Sequence, residues 1–271
     1  MNFSFLPDFV TSVRNYYDGE AKEASNQDEI NSWVSGKTEN KINNILTSFD
    51  SVLYLVNAVY FKANWANPFG EGATADHKFY PENGSAKTVK MMSQQETFPY
   101  YNDNKVQFVS LPYEGGRYRM NIFLPDEGTK VGDYVAGMDW EKYQAIIADA
   151  SAQEVLLKMP RFKTEYKNSE LVKTMQDLGM TEATSDKANF GNMSSDPLQI
   201  GLIIHQSFIS VDEAGTEAAA ATVVGMKVSA SSPQAPKKPI EMTVDRPFFY
   251  TIEDSFSHNI VFMGVTKDPA E

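Results

Sequence analysis

The chain has 271 residues, 42% of them hydrophobic and 12% aromatic, which is enough to fill a sizeable core and too apolar for a disordered segment. A formal net charge of -12 argues against nucleic-acid and anionic-membrane partners, because phosphate binding needs clustered Lys and Arg. With no cysteine there is no disulfide framework, thiol nucleophile or Cys-based metal site, and the compartment stays open.

Met1 to Pro7 has neither a basic start nor a long apolar core, so it does not read as a signal peptide. From Asp8 to Tyr17, spacings of three and four put Phe9, Val13, Tyr16 and Tyr17 on one helical face. A second helix is expected from Asp28, with Ile30, Trp33 and Val34 inward and Asn26 or Asp28 as its cap. Ser51 to Phe61 is nearly apolar throughout and β-rich, which suits a central strand buried on both faces. Strands follow at Val106–Pro112 and Tyr118–Leu124, with Glu114-Gly115-Gly116 as the turn between them. Trp140–Ala148 reads as a helix and Glu154–Phe162 as a strand.

The Ser169–Leu178 segment lines Leu171, Val172, Met175 and Leu178 along one helical face, with Gly179 as C-terminal cap. The tail holds strands near Leu198–Val211, Ile240–Val244, Phe248–Ile252 and Asn259–Thr266. There are no internal repeats. No apolar run reaches the roughly 18 residues a membrane span needs.

One stretch, 212–239, breaks this pattern by shifting to Ala, Gly, Ser, Thr, Val and Pro. A structureless loop of that length inside a domain is usually functional or a linker. Three ordinary readings stand beside a functional one: a short Ala-rich helix, an interdomain linker, or an exposed loop. Parity favours something sharper. As a strand, Thr216, Ala218, Ala220, Thr222, Val224 and Met226 would share one uncharged face, leaving Glu217 and Lys227 on the other. Small side chains are what a strand needs to slide between packed neighbours.

Glu213-Ala-Gly215-Thr216-Glu217-Ala218-Ala219-Ala220-Ala221-Thr222 resembles the hinge of the serpin reactive loop. Met242-Thr-Val244-Asp245-Arg246-Pro247-Phe248-Phe249-Tyr250-Thr-Ile252 matches the C-terminal signature of that family. Leu55-Val56-Asn57 through Trp65 to Phe69 resembles the family's third main-sheet strand and breach. Leu111-Pro-Tyr113, Phe123-Leu-Pro125-Asp126, Met159-Pro-Arg161-Phe162-Lys163 and Phe262-Met-Gly264 also match in order and spacing.

The resemblance implies an α+β serpin fold with a large mixed main sheet, further sheets and surrounding helices, in one domain over 1–271. It also implies a suicide inhibitor of serine proteases, extracellular, that is monomeric when complete and at risk of loop-sheet polymers. The protease attacks the loop and forms an acyl-enzyme, and the freed arm then inserts into the main sheet as a new strand. An arm from Gly215 to Ser229 would span roughly 50 Å. At roughly 1 kcal/mol net per backbone hydrogen bond, insertion yields on the order of 10 kcal/mol.

Within that resemblance, Gly215 and Thr216 begin the hinge, Asn57 and His205 occupy the shutter, and Trp65 the breach. The family interval puts the reactive bond at Ser229-Ala230, with Val228-Ser229 and Lys227-Val228 as the shifted alternatives. The first two suit elastase-like or subtilisin-like proteases, and only the third a trypsin-like one. The Pro-rich stretch Ser231–Pro239 is longer than usual and leaves the register open.

No enzyme is expected. The three histidines, His77, His205 and His258, have no Gly-x-Ser-x-Gly elbow or metal-binding motif beside them, so neither a metal nor a cofactor is implied. The rivals are a non-inhibitory member acting as carrier, chaperone or plain substrate, and an inactive fragment. Bulky or charged hinge residues usually mark the non-inhibitory class, and this hinge is Ala-rich. The resemblance begins at the family's fifth helix, so the N-terminal portion is expected to be missing. A first main-sheet strand near Ala21–Ser25 would then lack its partner, and the isolated chain is expected to be poorly stable.

Overall fold

Helix α1 (Pro7–Tyr17) opens on a proline, whose fixed φ suits a first turn where its missing N–H has no helical partner. Helix α2 (Gln27–Lys37) is capped by Asn26, whose side chain accepts from the Asp28 and Glu29 amides, while the Glu29 carboxylate reaches back to the Ser25 amide. The computed structural model describes residues 4–216 and 238–269. Backbone proximity divides the chain into two units, Met1–Tyr60 with Glu165–Phe208 and Phe61–Thr164 with Ile209–Glu271.

In the first unit, β1 (Tyr54–Tyr60) pairs in parallel with β9 (Leu202–Val211), Tyr54 opposite Leu202 through Tyr60 opposite Phe208. Parallel strands need a long connection, and most of the chain lies between these two. Val34 of α2 and Ile42, Ile45 and Leu46 of the following linker pack on Ile204 and Phe208. Asn31 fixes that linker by donating to the Leu46 carbonyl and accepting from the Leu46 amide, both at 2.9 Å. Helix α5 (Leu171–Asp177) closes with Gly179 at φ 104°, its amide donating to the Gln176 carbonyl.

The second unit holds an eight-stranded sheet. Its order is β11 (Ile240–Thr243), β7 (Ser151–Pro160), β4 (Lys87–Asn102), β5 (Val106–Pro112), β6 (Tyr118–Pro125), β12 (Phe248–Asp254) and β13 (Ile260–Thr266), with β3 (Ala75–Phe79) also paired to β4. β5 and β6 form the expected hairpin, and Gly115 and Gly116 take the positive φ its turn requires. Helices α3 (Val131–Ala136) and α4 (Trp140–Asp149) cover Phe108, Phe123 and Phe249 of this sheet. Beneath α4 the buried Glu253 carboxylate accepts from Arg119, Asn121 and Tyr143, so the charge is compensated on several sides. Strands β2 (Ala63–Asn64) and β10 (Gly215–Thr216) complete the unit, and β8 (Phe162–Asn168) pairs with β9.

Several expectations are corrected. β1 is not central: among the described residues only β9 pairs with it, and Leu55 and Asn57 are exposed. No strand forms at Ala21–Ser25, where the described residues offer no partner edge. Tyr16 and Tyr17 share the expected helical face but are 81% and 82% exposed, because no described residue covers the last turn of α1. Leu178 is the C-cap residue of α5 and lies past its packed face, where it is exposed.

Candidate functional site

Four consecutive residues, Asp212 to Gly215, form a tight turn at the end of β9. The Asp212 carboxylate accepts from the Ala214 and Gly215 amides at 2.9 and 3.2 Å, and the Asp212 amide donates to the Gly215 carbonyl. An Asp that caps its own following amides is the usual way to reverse a chain in so few residues. The reversal lets Thr216 pair antiparallel with Val211, while Gly215 and Thr216 pair antiparallel with Asn64 and Ala63. β10 therefore lies between β2 and the last residues of β9.

Gly215 is required by close approach. A Cβ built there would collide with the Ala63 carbonyl and sit 2.7 Å from the Asn64 Cα, and backbone cannot swing aside. Thr216 is fully buried, and its hydroxyl lies 2.7 Å from the equally buried Tyr113 hydroxyl. Burial pushes the Tyr113 phenol well above its usual range, so it stays neutral.

Trp65 packs face to face on Tyr113 with ring centroids 4.5 Å apart. Its indole N–H donates to the Asp212 carbonyl at 3.0 Å and its amide to the Ala214 carbonyl at 2.9 Å. The tryptophan is both core filler and a two-point clamp on the turn.

Glu213 supplies the charge. Its side chain is 8% exposed and is gripped by Arg161, with Nε 2.8 Å from both carboxylate oxygens and Nη2 2.7 Å from Oε1. The Thr74 hydroxyl also donates to it, and the Phe69 amide donates to its carbonyl. Burial opposes ionisation of Glu213, but the bonds from Arg161 and Thr74 outweigh it and hold the carboxyl below the usual range. Neighbouring Asp212 is raised, chiefly by burial. The same ion pair raises the Arg161 guanidinium.

In the other unit, Asn57 and His205 are directly opposite in the β1–β9 register, with Asn57 Oδ1 3.1 Å from His205 Nδ1. The pair spans the seam between the two strands. Glu217, Ala218, Ala219, Ala220, Ala221 and Thr222, and the bond candidates Lys227, Val228, Ser229 and Ala230, lie outside the described residues. Among the described residues no group of three His, Cys, Asp or Glu side chains is placed to hold a metal. Nor is any helix among them long and apolar enough to cross a membrane.

Residue-type reasoning singled out Gly215, Thr216 and Trp65 but gave no role to Tyr113, Arg161, Thr74 or Phe69. Tyr113 and Arg161 sit inside quoted motifs, and a lone Arg between two strands, β7 and β8, was the available signal for a buried carboxylate partner.

Comparison with known proteins bears on the family and the fold. The serpin (serine protease inhibitor) family profile matches residues 1–269. An uncharacterised serpin-like protein of Thermococcus kodakarensis is 35% identical over 99% of this chain and 64% of its own length. The leukocyte elastase inhibitor of Bos taurus is 35% identical, with 99% of this chain and 75% of the inhibitor covered. The chain thus spans about two thirds to three quarters of the length of these relatives. Among solved structures, the thermophilic serpin tengpin in its native state superposes with a TM-score of 0.87 at 30% identity, covering 98% of this chain and 70% of tengpin. Human thyroxine-binding globulin in complex with thyroxine gives 0.88 at 26% identity, covering 99% and 72%. Matched by the family profile over almost its entire length, the chain belongs to the serpin family.

Proposed function

We propose that this chain is a suicide inhibitor of serine proteases, with 212–239 as its reactive loop on a single serpin domain. The protease serine Oγ attacks the Ser229 carbonyl, and the Ser229–Ala230 bond breaks. The Ala230 amine leaves, and Ser229 stays esterified to the enzyme. The freed arm then adds to the sheet edge of β9 and carries the acylated protease with it.

The observation that carries this reading is the seat of Thr216. The arm already has one residue in antiparallel pairing with β9, Thr216 opposite Val211. Extending that register along β9 would set Ala219 opposite Phe208, Ala221 opposite Gln206 and Thr222 opposite His205. Those β9 residues now pair with β1, Asn57 facing His205. Insertion therefore requires β1 to release β9, and the Asn57–His205 bond is among those that must open. The closed pairing acts as a kinetic restraint on a higher-energy uncleaved form. Small residues at Ala218–Ala221 let the arm enter without displacing core volume.

The relatives named leukocyte elastase inhibitor, together with a small uncharged residue, Ser229 or Val228, before the bond at two of the three registers, favour an elastase-like or subtilisin-like target. Incubation with a panel of serine proteases tests the reading. An SDS-resistant complex should form with an elastase-like enzyme, and mass spectrometry of the released C-terminal peptide should begin at Ala230. Clean loop cleavage without a complex is the result expected of a non-inhibitory carrier or plain substrate, and it would overturn the proposal.

A further inference from the structure

The connection between β3 and β4 carries the chain's one Asn-Gly pair, Asn83-Gly84. Glu82 to Ser85 bend outside any helix or strand, and both Asn83 and Gly84 are exposed. Gly84 takes a φ of 96°, a conformation that favours glycine, and a Cβ built there would meet nothing within 4 Å. The peptide between the two residues is therefore open to water and hydroxide.

Hydrogen bonding sets this pair apart from other asparagines in turns. Asn26, Asn102, Asn168 and Asn189 each spend the side-chain oxygen on a backbone amide two residues on, which fixes the carboxamide in place. Among the described residues, neither the Asn83 carboxamide nor the Gly84 amide has a hydrogen-bond partner. The carboxamide is free to turn toward the Gly84 nitrogen, and that nitrogen is free to lose its proton.

We propose that Asn83-Gly84 is a self-modifying site, at which the asparagine loses its amide nitrogen without an enzyme. The deprotonated Gly84 nitrogen attacks the Asn83 Cγ, and the Cγ–Nδ2 bond breaks. Ammonia leaves, carrying the proton given up by Gly84, and a five-membered succinimide remains. Water then opens the ring at one of two carbonyls, with no oxidation or reduction. Breaking the bond from the Gly84 nitrogen to Cγ leaves aspartate at 83. Breaking the bond from that nitrogen to the main-chain carbonyl carbon leaves isoaspartate, linked to Gly84 through Cγ. Either product adds one negative charge to a net of -12, and isoaspartate also adds one carbon to the main chain.

The preceding residue gives the modification a consequence. Glu82 Oε1 accepts from the Val131 amide at 2.8 Å, at the first residue of α3, where the N-cap Lys130 supplies no side-chain cap. Val131 is fully buried, so a bare amide there costs free energy. An isoaspartyl link shifts Glu82 and sets a second carboxylate beside it, so the bond weakens and the start of α3 loosens. None of this depends on the inhibitory reading.

The test is peptide mapping by mass spectrometry of the purified chain after several days in warm, mildly alkaline buffer. The peptide holding Asn83 should gain one dalton before any other asparagine converts, with isoaspartate in excess over aspartate on fragmentation. Conversion should slow severalfold in mildly acidic buffer, where the Gly84 nitrogen keeps its proton. Asn83→Gln, which would need a six-membered ring, should fold with the parent's urea midpoint and lose the mass gain. Conversion no faster at Asn83 than at Asn192, or a mass gain that survives N83Q, overturns the site. The isoaspartyl fraction, separated by ion exchange, should unfold at a lower urea midpoint than the parent. Asn83→Asp places the new charge on an unaltered backbone, and its midpoint should fall less. An isoaspartyl midpoint equal to the parent's, or a fall matched by N83D, overturns the consequence for α3 and leaves the site standing.

Discussion

Glu213 concentrates the electrostatics of the hinge root, and its titration has a definite sign. Because its folded carboxyl lies below the usual value of 4.5, its contribution is fully present above that pH. The contribution is lost as pH falls through the lower folded value. Glu213→Gln should cost about 1–2 kcal/mol at neutral pH, discounted because Arg161 is half exposed and water can reclaim its charge. In urea titrations the difference between parent and variant should be present at pH 7 and shrink in acid. A difference that grew in acid would contradict the ion pair. Asp212, shifted the other way chiefly by burial, keeps most of its shift in the variant and loses only the part that the Glu213 charge supplies. Glycine packing makes a second claim at this scale. A Cβ at Gly264 would lie 2.6 Å from the Tyr250 ring carbon bearing the hydroxyl, so Gly264→Ala should lower stability by about 1–3 kcal/mol, read as a reduced urea midpoint. Neither Arg161 nor Tyr113 was legible from residue type as a partner of the hinge, since each is joined to it only by the fold.

At the level of elements, β10 is two residues long yet sets the register of everything the arm does next. Thr216→Arg would have to bury a guanidinium beside Tyr113, so β10 should not seat. The variant should be cleaved by the target protease as a substrate, with the complex yield falling to near zero on a denaturing gel. Thr216→Val is the milder control: it keeps the shape but strands the buried Tyr113 hydroxyl, at about 1–3 kcal/mol, and should retain complex formation. Elements with strong periodicity or turn chemistry were readable in advance: α2 with its Asn26 cap, the β5–β6 hairpin with Gly115 and Gly116, and α4. The sixteen-residue β4 was not. Its middle carries Ser93, Gln94, Gln95 and Glu96, and Pro99 sits inside it, so neither alternation nor composition marks one continuous strand. β1 failed in the opposite sense. Its apolar run suits a strand flanked on both edges, whereas the described residues give it one neighbour.

For the whole molecule, fold class and family were legible because ordered motifs spread from Leu55 to Gly264 constrain a single topology. The seat of the hinge was not, because it depends on long-range pairings of Thr216 with Val211 and Ala63 that no local pattern encodes. The central claim concerns two states of one chain: a closed β1–β9 seam, and a seam opened by an added strand. If the added strand is worth on the order of 10 kcal/mol, the thermal midpoint should rise by roughly 20–40 °C. The direct measurement is the unfolding midpoint of the chain before and after a single cut in the 212–239 loop. A large rise on cutting is the predicted result, and a midpoint that stays put or falls would contradict the account.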